Sequence, residues 1–129
     1  MHPFAGGMYK RNSVLPILGF EQFIEEKDFK HTDKDGESNY INDKSAYAEL
    51  MDQLRSEEKK QLVSLVTMQN HASYHPNEYG ESLFKLTDEH DKKDAIETFL
   101  MTLHLSDRYL GELIAELDNF EEKTSTIDC

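Results

Sequence analysis

The stretch LVSLVTM at residues 62–68, which breaks off at Gln69, Asn70 and His71, limits most what this chain can fold into. It is rich in β-prone residues, and only Ser64 and Thr67 interrupt it. That is the pattern of a strand covered on both faces, as in a parallel sheet with helices on each side. In open sheets of this kind ligands sit beyond the carboxyl ends of the strands. The run therefore predicts that Gln69, Asn70 and His71 face such a crevice. Gln69 and Asn70 bring donors and acceptors. His71 could donate to an anionic oxygen or shuttle a proton, and it could equally bond backbone at the strand end.

The flanking segments predict helices. Asp43 or Ser45 can cap a helix whose Tyr47, Leu50, Met51 and Leu54 recur at i, i+3, i+4, i+7, with Lys59 and Lys60 suited to its negative end. A long helix is expected over 93–120, with Ile96, Phe99, Leu100, Leu103, Leu110, Leu113, Ile114 and Leu117 as its stripe. Ser106 and Asp107 fall on that stripe, and an acid there needs a partner or a route to water. The opening residues, punctuated by Pro3, Gly6, Gly7, Pro16 and Gly19, read as loop and short helix. Residues 20–29 suggest a short strand or edge segment, KHTDKDGESNYIND an exposed loop, and 72–91 another loop. Helix, strand, loop and helix in this order give an α/β fold. A sheet needs several strands, so a single firm one points to residues 1–129 as one fragment of a larger domain.

Composition narrows the functions. A formal charge of −12 with scattered Lys and Arg excludes a nucleic-acid surface. No apolar run approaches the ~18 residues of a membrane span, and the chain itself reads as soluble. The single cysteine, Cys129, rules out an internal disulfide and a Cys-based metal site. His71 and His75 have an HxxxH spacing, but Pro76 argues against the helix such a metal pair needs, and no HExxH pattern occurs. Nor is there a GxxxxGK[ST] loop or a nucleophile elbow. The chain shows no complete catalytic set and no metal ligands of its own. Arg11, beside Tyr9 and Lys10, offers a planar fork for phosphate or carboxylate, or else is a surface helix residue.

The segments HPFAGGMYKRNSVLPILGFEQFIEEKDF and LVSLVTMQNHASY, with the later LHLSDRYLGELIAEL, resemble the extracellular catalytic domain of the lipoteichoic acid synthase family. These are phosphoglycerol transferases of the sulfatase and alkaline-phosphatase-like superfamily. The resemblance covers nearly the whole chain in order. It implies a partial sulfatase-like α/β fold, few strands with flanking helices, and a long C-terminal helix. It also implies a divalent metal, manganese or magnesium, in the complete domain, and a threonine nucleophile that takes phosphoglycerol from a lipid donor at the outer face of a Gram-positive-type membrane. Carried over by motif, His2, Tyr9, Arg11 and His71 would contact the headgroup of a phosphoglycerol lipid, or of another phosphate or sulfate ester. Three positions depart from the family pattern: Lys10 stands for Asn, Ser73 for Pro, and Phe4 for an acid. The resemblance places nucleophile and metal ligands before His2 and after Ile127, in the remainder of a parent domain. A sulfatase- or phosphatase-type hydrolase, or a non-catalytic binding module on the same fold, are the alternatives.

Overall fold

A computed structural model describes residues 1–120. Its helices are α1, Arg11–Ile17; α2, Asp43–Arg55; and α3, Lys93–Asp118, with short 3-10 turns at Met8–Lys10 and Glu26–Asp28. The chain enters α1 through Tyr9 and Lys10 in the left-handed region, φ 54° and 53°. It leaves through Gly19 at φ 91°, a conformation glycine adopts without steric cost. There the N–H of Phe20 bonds Leu15 O (3.2 Å) and that of Gly19 bonds Pro16 O (3.1 Å), which satisfies the last carbonyls.

The two predicted helices form close to their expected places, with corrections at their ends. Asn42, not Asp43 or Ser45, caps α2, its side chain accepting from the Ser45 N–H at 2.8 Å. Asp43 is the first helical residue, and the Ser45 hydroxyl instead accepts from the Asp33 N–H (3.1 Å). The helix ends at Arg55, so Lys59 and Lys60 lie beyond its last turn. Of the expected apolar face only Met51 is fully buried, while Tyr47, Leu50 and Leu54 are partly so.

Helix α3 packs against α2, but with a face turned from the expected stripe. Its buried residues are Glu97, Thr98, Thr102, Leu105, Tyr109 and Leu113, whereas Ile96, Phe99, Leu103 and Ile114 are exposed. The threonines can lie inside because their hydroxyls are paired, Thr98 to His75 O (3.0 Å) and Thr102 to Asn70 Oδ1 (2.8 Å). Asp107 needs no partner, being exposed. Two small apolar clusters complete the interior, one around Phe29, Ile41 and Ala46, the other around Tyr79, Leu105 and Tyr109. The loop expected to be merely exposed is pinned to this core: the Tyr109 hydroxyl donates to the Asp35 carboxylate at 3.1 Å.

The expected sheet is not present among the described residues. No strand forms there, and sheet-like pairing is limited to one parallel bridge, His2 to Glu25. The run at 62–68 lies beside the opening residues: Val66 N–H donates to Met1 O (3.1 Å), and the Met1 nitrogen to Ser64 O (2.6 Å). Those two bonds have the spacing of a parallel pairing, and they do not propagate. Leu62, Ser64 and Val66 are exposed while Val63, Leu65 and Thr67 turn inward, so the run is covered on one face, not two. No strand among the described residues flanks it, so no ladder forms. No helix among the described residues is long and apolar enough to cross a membrane.

Candidate functional site

The polar tip of the run closes as a turn, with the His71 N–H bonding Met68 O at 3.0 Å. Gln69 and Asn70 are its central residues, and their side chains point into the protein. The Gln69 Oε1 accepts from the Asp43 N–H (2.8 Å), while Asn70 Nδ2 donates to the Ser106 hydroxyl (2.9 Å). Both amides are thus engaged by α2 and α3 and do not face a crevice as the sequence suggested. His71 alone emerges. Its Nδ1 lies 2.6 Å from Ala72 O, and because a carbonyl can only accept, Nδ1 carries the proton and Nε2 is left as an acceptor.

His2 has the same tautomer for the same reason, in a different setting. It is only 2% exposed, with Nδ1 2.9 Å from Val66 O. Its Nε2 is buried without a partner. Burial, with the nearby Arg11 charge, lowers its pKa from the ordinary 6.5, against the pull of the Val66 carbonyl, so the ring is neutral at pH 7. One guanidinium nitrogen of Arg11, Nη1, is likewise buried and unpartnered. The Arg11 guanidinium lies over the exposed Tyr9 ring, 5.4 Å from its centroid.

The loop joining these residues is fixed by Glu25. Its Oε2 accepts from the Gly6 N–H (2.6 Å), and its Oε1 meets Lys27 at 2.6 Å. The Lys27 ammonium and then the Gly6 N–H hold this carboxyl below its usual range. A Cβ at Gly6 would come within 2.8 Å of both Glu25 and Phe23, so the close approach requires glycine.

Tyr40, which sequence reasoning passed over, connects the two histidines. An aromatic series runs from His2 to Phe4 (6.2 Å between centroids), Phe4 to Tyr40 (6.3 Å) and Tyr40 to His71 (5.6 Å). The Tyr40 hydroxyl also sits 3.3 Å from His71 Nδ1. Nothing local marks Tyr40, since its partners are distant in sequence. Tyr9 and Arg11 pair with each other, with Arg11 electrostatically coupled to His2, while Tyr9 itself points to solvent.

Arg11 offers a cation beside the acceptor Nε2 of His2, and His71, linked to them through Phe4 and Tyr40, offers a second acceptor Nε2; donors and acceptors of this kind suit an anion bearing hydroxyl groups. Among the described residues no group of three or more His, Cys, Asp or Glu could hold a metal. The two histidines of the HxxxH spacing have separate hydrogen-bond partners, the Ala72 carbonyl for His71. The His75 Nε2 lies instead 3.4 Å from the Ser73 hydroxyl. Compared with known proteins, residues 1–127 match the family model described as Sulfatase. No curated protein and no solved structure matches.

Proposed function

The chain belongs to the sulfatase family, and from that premise we propose that it supplies the headgroup-binding part of a metal-dependent phosphoglycerol transferase. The reading is lipoteichoic acid synthase-like, with a glycerophosphate lipid as donor. The observation that supports it is the pair of buried, unpartnered atoms, His2 Nε2 and Arg11 Nη1. Leaving such a group unpaired costs about 1–3 kcal/mol, and the two are complementary in kind. Arg11 donates to a phosphate oxygen, while the neutral His2 accepts from a hydroxyl. A glycerol phosphate headgroup carries both. His71 Nε2 is the second acceptor, and Tyr9 offers an aromatic face to the glycerol carbons. In this reading the threonine nucleophile and the manganese or magnesium ion belong to the remainder of a larger domain, of which residues 1–129 are one fragment. The parent works at the extracellular face of a Gram-positive-type membrane. A hydrolase of sulfate or phosphate esters is the second reading, favoured by Phe4, which stands where the transferases carry an acid.

Titration of the isotope-labelled chain with glycerol phosphate, and separately with inorganic sulfate, separates these. The expected result is movement of the His2, Arg11 and His71 side-chain resonances with glycerol phosphate and a weaker response to sulfate. An equal response to both anions would favour the hydrolase. If all three residues stayed unmoved in both titrations, the headgroup assignment would be wrong.

A further inference from the structure

We propose that Ser106 and Thr102 of α3, with Asp43 of α2, form a strut that positions His71 by locking the Asn70 side chain. The inference rests on the substrate role just given to His71 and extends it to residues that touch no ligand. Every polar atom of the Asn70 amide is engaged. Nδ2 donates to the Ser106 hydroxyl (2.9 Å), and Oδ1 accepts from the Thr102 hydroxyl at 2.8 Å. The Asn70 backbone carbonyl accepts from the Tyr74 hydroxyl at 2.8 Å. The direction of the bonds is set by chemistry. An amide nitrogen can only donate, so Ser106 must accept with its oxygen and give its own proton away. It gives it to Asp43 Oδ2, 2.6 Å distant.

Asn70 is the last central residue of the turn that ends on the His71 N–H, so the angle of its amide sets how His71 leaves the surface. The neighbouring Gln69 is held likewise, by the Asp43 N–H on one side and by the Tyr79 hydroxyl on its carbonyl (3.0 Å) on the other. Thr102 is fully buried, and Gln69 and Asp43 nearly so, so water cannot substitute for these three, while Asn70 and Ser106 are partly buried. The His71 ring also meets Tyr40, whose hydroxyl is 3.3 Å away. His71 is therefore set from beneath through Asn70, whose partners Thr102 and Ser106 lie 32 and 36 residues away, and its ring meets Tyr40 at the side.

The test uses Ser106→Ala and Thr102→Val, each removing one hydroxyl, with Ser106→Thr as the conservative rescue. Folding of each is checked by circular dichroism. The readouts are the ring 15N shifts of His71 and the dissociation constant for glycerol phosphate. In either hydroxyl-deleting variant the His71 ring should lose its single tautomer signal, and binding should weaken about tenfold as the displaced ring forfeits its own hydrogen bond to the ligand. Ser106→Thr should stay within about twofold of wild type in affinity. A folded Ser106→Ala or Thr102→Val chain with unchanged His71 ring signals overturns the strut, even if its melting temperature falls. Should the wild-type chain fail to bind glycerol phosphate, the headgroup reading falls, and the ring signals alone still decide the strut. If Ser106→Ala does not fold, Thr102→Val carries the same test from the other end of the amide.

Discussion

The apolar run at 62–66 and the polar turn that follows it have exchanged the surroundings their chemistry suggests. Leu62 is 88% exposed, while Gln69, seven residues later, is 1% exposed. The difference lies in partners, not in polarity. The run pairs by two backbone bonds with Met1 on one edge, and one of its faces is open. At the turn, α2 and α3 converge and offer a donor or acceptor to the side chains of both central residues. A polar side chain is comfortable inside when its bonds are made, and an apolar one outside forfeits only the gain that burial would have given.

The strongest way to break this comparison is to reverse the chemistry at its buried end. Gln69→Leu keeps the approximate size but removes the acceptor of the Asp43 N–H and the 3.5 Å contact to Thr102. With a buried backbone donor left unpaired, the substitution should cost about 2–4 kcal/mol. A lower urea midpoint with unchanged slope is the expected reading. A cost below about 1 kcal/mol would mean that the turn is held by its backbone and not by its side chains.

How much of this was legible in the sequence follows from the same contrast. Helices α2 and α3 stand close to where periodicity put them, because spacing along one element is local information. Which face of α3 is buried was not legible. Thr98 and Thr102 read as surface residues until His75 O and Asn70 are seen to pair with them. The clue available was Ser106 on the expected stripe, beside Asp107. The serine is the member with a buried partner, and the aspartate faces water. In the polar tip Gln69 and Asn70 turn inward, against the expectation that all three residues face a crevice, and His71 alone turns outward. The strand failed as an expectation because a strand depends on neighbours that the run does not itself encode. Tyr40 had no signal, since its partners Phe4 and His71 flank it at long range.

Asp43 sharpens the comparison through pH. Burial raises its pKa above the ordinary 3.8, with the neighbouring Asp35 charge adding to the rise and the Ser106 and Thr67 hydroxyls opposing it. Its Oδ1 is buried without a partner. The folded state therefore prefers the protonated acid. Stability contributed in this way is fully present below 3.8 and is lost as pH rises through the elevated folded value. Denaturation midpoints measured from pH about 4 to about 7 should fall for the wild type over the lower part of that window. Asp43→Asn, which can still accept from Ser106, should flatten that fall. An unchanged profile in the variant would assign the fall to groups other than Asp43, and not to His2. The His2 pKa is lowered, so its contribution has the opposite sign: it is present above 6.5 and lost as pH falls through the folded value.

The smallest effect is expected at the exposed end, and it is the most diagnostic for being small. Leu62→Ser puts a polar residue at the start of the most strand-like run in the sequence, where a fully covered leucine would lose several kcal/mol, of order 2–5 as for other large-to-small core changes. Here Leu62 already faces solvent, so the stability of this chain should change by no more than about 0.5 kcal/mol. Denaturant titration of the pair measures it directly. A near-zero cost fits a face left open in the 120 residues described. A cost above about 2 kcal/mol would instead show that the run buries itself against something in solution, a second chain being the first suspect, and a dependence of the cost on protein concentration would identify it.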